Sequence, residues 1–294
     1  MIRLVYPTDP NFGDAMSPLI VEKLSGQKVV PSAMWNADMM AVGSVLYRGD
    51  YFMADTYHAG LLRRAKAAAW DLNRMLSRPI TVWGSGFLQY PPFKKPHFCR
   101  KLNILALRGH YTRRILEQYG LMKGDEKIAY GDPGLLFADL FGIKANPKYD
   151  IGIVPHKYDV DRGWLGKLNG AFQGVGVNAK IINVADDPKK VVTDISECNK
   201  IISASLHGLI VADSLGIPNI HLQISTLGHS QKDYELKFLD YYSAYGVGMP
   251  PIVSGKELLA DPTQYVHNRY YGCRDMVMIQ SVKDSLRKKF PRIQ

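Results

Sequence analysis

Short apolar segments alternate with longer helical segments along most of this chain, and that alternation limits the possible folds more than any other feature. Strand-like segments such as "IRLVYP", "NILALRG" and "DIGIVPH" are each followed by a more polar stretch. The segment "AGLLRRAKAAAWDLNRMLS" is rich in Ala, Leu and Arg and has no internal Gly or Pro, so its propensity predicts a helix. Strands that alternate with helices predict βαβ units and parallel sheets.

The alternating pattern restarts around residues 145–149, which indicates two α/β units rather than one. We predict an N-terminal Rossmann-like domain over residues 1–145, a C-terminal Rossmann-like domain over 150–270 and a helical tail over 271–294. A chain of 294 residues is long enough for two domains of ordinary size. We expect the two domains to face each other across a cleft.

The chain carries a formal net charge of +10, and much of it lies in the three basic segments "LLRRAKAAAWDLNRMLSR", "FKKPHFCRK" and "SLRKKFPR". Basic surfaces of this kind bind nucleic acid, anionic membranes or anionic small substrates, or they are solvated and bind nothing. The sequence contains no recognisable nucleic-acid-binding motif, so we expect no nucleic-acid partner. Anionic substrates, lipid-linked or not, are the interpretation that we favour.

Three cysteines, Cys99, Cys198 and Cys273, are few, odd in number and far apart. This spacing argues against a disulfide framework and against a cysteine-based zinc site, and it fits a reducing cytoplasm. No run of residues approaches the roughly 18 consecutive apolar residues of a membrane span. We therefore expect a cytoplasmic protein without a metal site, in solution or at the inner face of the membrane.

Ligands of open α/β sheets bind at the carboxyl ends of the strands, so the residues that directly follow strands are the candidates for a site. In "NFGD", Asp14 either caps the next helix or joins Asn11 in facing an acceptor hydroxyl. In "WGSGF", Gly84 and Gly86 either form a tight turn or let backbone N–H groups approach an anion or a sugar. The spacing differs from GxGxxG and does not indicate a dinucleotide site.

Three further strand ends carry basic side chains. Arg108 in "LALRG" suits carboxylate and phosphate oxygens, or it pairs with a structural carboxylate such as Asp132. His156 and Lys157 in "IVPHK" are either an anion-binding pair or ordinary loop residues. His207 in "SASLHG" is either structural or functional, and it lies where a helix N-terminus would attract phosphate and an imidazole could transfer protons.

These motifs, in this order, resemble those of the polysaccharide pyruvyl transferase family over about residues 3–222. The resemblance rests on "NFGD", "WGSGF", "LALRGHYTRRILEQYG", "YGDPGLL", "IGIVPHK" and above all "SASLHGLIVADSLGIPNI". It implies two Rossmann-like domains arranged as in GT-B glycosyltransferases. It also implies transfer of a pyruvyl group from phosphoenolpyruvate onto sugar hydroxyls, usually as a ketal that bridges two of them. The segment after about residue 230 matches no motif.

The resemblance places the family's essential histidine at His207 and its essential arginine at Arg108. We assign acid–base catalysis to His207, donor binding to Arg108 and acceptor activation to Asp14. The further residues that we expect to bind the donor are Ser205, Leu206, Gly208, His156 and Lys157. The further residues that we expect to bind the acceptor are Asn11, Gly13, Gly84, Ser85, Gly86 and Phe87.

Ser205 departs from the family, because many members carry an arginine directly before the "LHG" motif. We therefore expect the donor phosphate to be bound by the helix N-terminus and by cations from other loops, such as His156, Lys157 or Arg162. Phosphoenolpyruvate acts as a co-substrate in this reaction, and no step requires a further cofactor or a metal.

We expect the acceptor to be a glycan or a lipid-linked oligosaccharide. The aromatic and basic segment "FLQYPPFKKPHF" suits peripheral contact with an anionic bilayer, and a solvated surface explains it too. Two alternatives stay open: a GT-B glycosyltransferase with a nucleotide-sugar donor, and a non-catalytic glycan-binding protein on the same scaffold. Release of phosphate from phosphoenolpyruvate, as opposed to release of a nucleotide or glycan binding without turnover, distinguishes the three.

Overall fold

The structure is a computed structural model that describes residues 1–46, 52–53, 61–90, 97–157, 159, 163–223, 231–266 and 275–292. Its strands are β1 (Ile2–Val5), β2 (Val29–Pro31), β3 (Met39–Met40), β4 (Phe52–Met53), β5 (Ile80–Ser85), β6 (His97–Phe98), β7 (Leu102–Leu107), β8 (Ala129–Tyr130), β9 (Tyr149–Val154), β10 (Ala179–Ile181), β11 (Cys198–Ser203), β12 (Asn219–Gln223) and β13 (Ile252–Ser254). Its helices are α1 (Phe12–Ser25), α2 (Leu61–Leu76), α3 (His110–Gln118), α4 (Phe137–Phe141), α5 (Trp164–Gly174), α6 (Pro188–Ser196), α7 (Leu206–Leu215), α8 (Gln231–Ser243), α9 (Gly255–Ala260), α10 (Thr263–Val266) and α11 (Met276–Lys288). A 3₁₀ helix at Pro133–Leu136 precedes α4.

Two parallel sheets form the frame of the molecule, which confirms the predicted α/β class. The first sheet has the strand order β2-β1-β3-β5-β7-β8, and the second has the order β10-β9-β11-β12-β13. All strand pairs within both sheets are parallel, whereas β4 and β6 form a separate antiparallel pair. Both sheets are compatible with Rossmann-like domains.

Most of the predicted elements are confirmed, and their boundaries follow from local chemistry. The Ala-, Leu- and Arg-rich segment forms α2. Asp187 caps α6 by accepting backbone hydrogen bonds, and Pro188 takes the first helical position, a pattern typical of helix starts. The helix ends at Ser196, because Cys198 already belongs to β11.

The helix α5 was not predicted, and its composition explains why. Gly166, Gly170 and Gly174 all lie inside it, and each glycine lowers helix propensity by about 1 kcal/mol relative to alanine. The helix forms because Leu168 and Phe172 are fully buried in the core of the second sheet. Tertiary packing therefore outweighs the weak local preference.

The two halves of the chain share one hydrophobic core rather than touching only at loops. Phe12 and Trp83 from the first half belong to the same buried cluster as Val154 and Val211 from the second half. The later helices return to the first sheet: α3 contacts α8, and α11 contacts β8. Nε1 of Trp83 donates a hydrogen bond to the backbone oxygen of Leu286 in α11, at 3.0 Å. The domain limits at 145 and 150 and the separate tail at 271–294 stay predictions.

Within the described part of the chain, no helix combines the length and the apolar character that a membrane crossing requires. Of the aromatic and basic segment, Phe87 is buried, Tyr90 is exposed and residues 91–96 lie outside the described residues. Cys99 and Cys198 are buried free thiols.

Candidate functional site

The carboxyl edges of the two sheets meet where α1 approaches the beginning of α7. Gly13, in the first turn of α1, lies directly against the imidazole of His207, and a Cβ atom at Gly13 would overlap Nδ1. Phe12 packs edge-to-face on the same imidazole, with the ring centroids 6.4 Å apart. The "NFGD" and "LHG" motifs, far apart in sequence, therefore form one site.

His207 is buried, and two cations influence its imidazole. The residue is 9% exposed, and no described residue hydrogen bonds to its Nε2 atom. Burial is the main reason that the pKa of the imidazole falls to about 3, and the positive charges of Lys237 and Arg108 add to the effect. Without ligand, the imidazole is therefore neutral at pH 7.

Asp132, which follows β8, faces the imidazole from the first sheet. Its Oδ1 atom accepts a hydrogen bond from the backbone N–H of Gly134 at 2.9 Å, whereas Oδ2 has no partner among the described residues. Oδ2 lies 4.0 Å from Nε2 of His207. Burial raises the pKa of Asp132 to about 6. Two buried polar atoms without a described partner thus face each other across a short gap.

Arg108, which directly follows β7, is fully buried. Its Nε donates to Oδ2 of Asp240 at 3.1 Å, its Nη1 to Oγ of Ser44 at 2.7 Å and its Nη2 to the backbone oxygen of Phe87 at 2.5 Å. The carboxylate paired with Arg108 is therefore Asp240 of α8 and not Asp132, which the sequence had suggested. The binding of a donor by Arg108 stays a prediction.

The two glycines of "WGSGF" leave room for side chains of neighbouring residues to pack against the loop. A Cβ atom at Gly84, whose φ is +84°, would overlap the ring of Pro133. A Cβ atom at Gly86 would lie 2.6 Å from Nη2 of Arg108, so this glycine lets the guanidinium approach the loop. Acceptor binding stays a prediction for the four residues Gly84, Ser85, Gly86 and Phe87, of which Ser85 and Phe87 are fully buried.

Asn11 and Asp14 form a hydrogen-bonded pair at the beginning of α1. The helix begins at Phe12, earlier than expected, so Asn11 takes the N-cap position and Asp14 lies inside the first turn. Nδ2 of Asn11 donates to Oδ2 of Asp14 at 2.7 Å. Asp14 therefore does not cap the helix. Its carboxylate belongs to the charged surroundings of Lys237, and its contact with an acceptor stays a prediction.

The beginning of α7 lies close against β11. The helix starts at Leu206, before the expected His207, and Ser205 takes the N-cap position without a side-chain capping bond. A Cβ atom at Gly208 would overlap Oγ of Ser203 at the end of β11, so glycine permits this close approach. Donor binding by Ser205, Leu206 and Gly208 stays a prediction.

The loop after β9 supplies less positive charge than its sequence suggested. Burial, together with the charges of Lys237 and Lys157, lowers the pKa of His156 to about 3, so this imidazole is neutral at pH 7. Nζ of Lys157 lies 3.7 Å from Oδ2 of Asp9. Arg162 lies outside the described residues. Donor binding by His156 and Lys157 stays a prediction, and Lys237 of α8 emerges as a cation that the motifs did not indicate.

Comparison with known proteins assigns the chain to a family. A family model described as polysaccharide pyruvyl transferase matches residues 36–226. The chain belongs to the polysaccharide pyruvyl transferase family. The matched residues include Arg108, Asp132 and His207, whereas Asn11 and the whole of α8 lie outside them. The resemblance inferred from the motifs is thus confirmed, and with it a general role in pyruvyl transfer onto polysaccharide.

Two individual similarities accompany the family match. An uncharacterized protein of Acanthamoeba polyphaga mimivirus is 27% identical over 252 residues, which make up 82% of this chain and 73% of the relative. A crystal structure of an uncharacterized protein from Klebsiella pneumoniae subsp. pneumoniae NTUH-K2044 gives a TM-score of 0.42 at 11% identity, over 86% of this chain and 92% of the other. Neither name states an activity.

The site of this family member contains two charged residues that motif reasoning missed, Lys237 and Asp240. Both belong to "LKFLDYY" in α8, where charged side chains interrupt an otherwise apolar and aromatic run. A charge within such a run indicates a buried side chain with a compensating partner. The sequence indicates Asp132 only as a partner of Arg108, whereas in the structure it faces His207. Among the described residues, no group of three or more His, Cys, Asp or Glu side chains could hold a metal ion.

Gly13→Ala tests the contact between α1 and α7. Because the new methyl group would overlap the imidazole of His207, we expect the ring to be displaced and turnover to fall by about 10²-fold. Steady-state kinetics and thermal unfolding measure the two effects. Gly170→Ala is the matched control: its Cβ would meet nothing within 4 Å, so we expect unchanged turnover and slightly higher stability. Normal turnover of Gly13→Ala would show that His207 needs no fixed position.

Proposed function

We propose that this family member transfers the pyruvyl group of phosphoenolpyruvate onto two hydroxyls of a sugar, forming a ketal in a polysaccharide or its lipid-linked precursor. One observation carries the proposal: a neutral, buried imidazole at His207 is influenced by the cations Arg108 and Lys237 and faces Asp132. An anionic donor supplies the negative charge that favours binding there. Phosphoenolpyruvate combines a phosphate and a carboxylate on one small molecule.

The proposed arrangement is GT-B-like, with the acceptor bound by the first sheet and the donor by the second. The contact between Gly13 and His207 supports it, because it brings the beginning of α1 against the beginning of α7. On the acceptor side, Asp14 accepts a hydroxyl proton beside Asn11, close to the "WGSGF" loop. On the donor side, the helix N-terminus at Leu206 favours an anion, because unpaired N–H groups there carry partial positive charge.

The proposed reaction balances without a further reactant. C3 of phosphoenolpyruvate accepts a proton, which makes C2 electrophilic. One sugar hydroxyl attacks C2, the bond between C2 and the phosphate oxygen breaks, and the second hydroxyl closes the ketal ring. Of the two hydroxyl protons, one ends on the new methyl group and the other leaves with phosphate. The donor is a co-substrate, and no step requires a metal.

His207 supplies the acid function, and Asp132 supports it. Binding of the donor places negative charge beside the imidazole and raises the pKa of His207, so that the ring takes up the proton that it lacks in the free protein. The carboxylate of Asp132, 4.0 Å from Nε2, stabilises this cation. A protonated imidazole can then protonate C3. Burial of both groups excludes water that would compete with the acceptor hydroxyls.

Asp132→Asn tests this pair through opposite effects on activity and stability. The pKa of Asp132 is raised in the folded state, so the buried carboxylate costs stability above pH 6 and nothing below about pH 4. We expect the variant to gain up to about 3 kcal/mol in free energy of unfolding at pH 7.5. We also expect turnover to fall by about 10²-fold. In the unsubstituted chain kcat/KM should fall below pH 6 as Asp132 takes up a proton, and this fall should be absent from the variant. Kinetics and thermal unfolding across pH 4–8 measure both, and unchanged turnover with an unchanged pH profile would contradict the role.

A phosphate-release assay tests the proposed activity. The chain is incubated with phosphoenolpyruvate and a panel of glycan and lipid-linked acceptors, and inorganic phosphate is measured. We expect release that depends on one class of acceptor. Release of a nucleotide from a nucleotide-sugar instead would identify a glycosyltransferase, and glycan binding without release would identify a binding protein. We place the reaction in the cytoplasm, at the inner face of the membrane when the acceptor is lipid-linked.

A further inference from the structure

Helix α8 carries a buried lysine between the two halves of the molecule. Lys237 is 9% exposed, and its neighbours in the helix fix its position from both sides. Leu236 packs into the core of the first sheet, whereas Phe238 packs with Leu206 and Leu209 of α7. Asp240, one turn further on, forms the buried ion pair with Arg108. Lys237 is therefore held at the junction that contains His207 and Arg108.

The surroundings of Lys237 contain the charged and titratable groups of the candidate site. Its charge acts on His156, His207 and His221, and it is itself influenced by Arg108, Asp14 and Lys157. Burial first, and then the neighbouring cations, lower the pKa of Lys237 to about 8, so the ammonium group still carries its proton at pH 7. A bound phosphate would raise this pKa and hold the proton more firmly.

The beginning of α7 lacks a cation of its own. Ser205 is uncharged, and its backbone N–H donates to Oγ of Ser203 at 3.1 Å. Arg108 already donates to Asp240, Ser44 and Phe87 and reaches the site from the other sheet. A phosphate in front of Leu206 therefore needs a positive charge from another element, and the ammonium group of a buried lysine suits it because lysine binds phosphate as a compact point charge.

We propose that Lys237 binds the phosphate group of the donor, opposite the N-terminus of α7. This inference rests on the proposed function, since it assigns one group of the same donor. It makes α8, which lies outside the residues matched by the family model, part of the donor site. Lys237 is a binding residue in this account, and His207 transfers the proton.

Lys237→Met is the main test, because methionine keeps the length of the side chain and removes the charge. Removing this charge leaves the carboxylate of Asp14 with less compensation and costs stability, so thermal unfolding checks that the variant is folded. We expect the Kd for phosphoenolpyruvate, measured by titration calorimetry without acceptor, to rise about 10- to 100-fold. Lys237→Gln, which keeps a polar end group, is the second variant and should show the same loss.

Lys283→Met is the matched control. Lys283 of α11 is also a buried lysine, 3% exposed, but its Nζ lies 3.0 Å from Oδ1 of Asp139 in α4, away from His207. We expect this variant to lose stability and to keep the Kd for phosphoenolpyruvate. A folded Lys237→Met variant with an unchanged Kd would overturn the inference while leaving the proposed function intact. Absence of binding by the unsubstituted chain would contradict the proposed function itself.

Competition experiments with two fragments of phosphoenolpyruvate show whether Lys237 contacts its phosphate or its carboxylate. Inorganic phosphate and pyruvate are each tested as competitors of phosphoenolpyruvate binding to the unsubstituted chain and to Lys237→Met. We expect Lys237→Met to weaken competition by phosphate about 10-fold or more and to leave competition by pyruvate unchanged. The reverse pattern would assign Lys237 to the carboxylate and overturn the proposal as stated.

Discussion

His207→Gln should lower turnover of phosphoenolpyruvate by at least about 10²-fold while the protein stays folded. Glutamine roughly matches the polar shape of imidazole but cannot take up and deliver a proton near neutral pH. The fold should tolerate the change, because no described residue hydrogen bonds to Nε2 of His207 and its imidazole is neutral in the free protein. Steady-state kinetics at saturating donor, with thermal unfolding of the same sample, measure both effects.

His110→Gln is the control for this substitution. His110 lies at the beginning of α3 with its ring centroid 3.9 Å from that of Tyr130, outside the contact between α1 and α7. Its variant should keep turnover within a few-fold of the unsubstituted chain. If His207→Gln retained near-normal turnover, His207 would have no role in proton transfer, whatever the donor is.

Arg108→Met should be the most destabilising of the substitutions considered. Its guanidinium is fully buried and paired with the equally buried Asp240. Removing one partner of such a pair leaves an uncompensated charge and costs about 3–5 kcal/mol. We expect a correspondingly lower melting temperature, together with a loss of turnover by about 10²-fold in whatever fraction stays folded.

The double variant Arg108→Met with Asp240→Asn separates the two roles of Arg108. Asparagine keeps the shape of Asp240, and its side chain can still bond to the backbone N–H and Oγ1 of Thr112, which now bond to the carboxylate at 2.8 and 2.6 Å. We expect the double variant to recover most of the lost stability and none of the lost turnover. Recovery of turnover along with stability would mean that Arg108 serves the fold alone.

Local patterns in the sequence were enough to predict the class of fold and several helix boundaries. Helix α6 begins at Asp187 and Pro188, and α2 is an uninterrupted run of residues that mostly favour helix. In both places the tertiary structure agrees with the local signal. Two residues of the candidate site could be predicted for a different reason. His207 and Arg108 could be named because they follow strands, and parallel strands bring their carboxyl ends to one edge.

The partners of those residues could not be predicted, because they come from distant parts of the chain. Asp240 pairs with Arg108 across 132 positions, and no local period connects them. No local pattern indicates that the lack of a side chain at Gly13 makes room for the imidazole of His207. Asp14 lies in the first turn and is not the cap, because α1 begins at Phe12. Helix propensity alone does not fix such a boundary to within one or two residues.

In the proposed reaction, phosphoenolpyruvate is the donor and its pyruvyl group is transferred to a sugar. The most direct measurement is mass spectrometry of the acceptor combined with phosphate quantification in the same reaction, with His207→Gln run in parallel. We predict an acceptor heavier by one pyruvic acid less one water, with one phosphate released per ketal formed and neither product from the variant. An acceptor of unchanged mass, or one extended by a sugar from a nucleotide-sugar, would contradict the account.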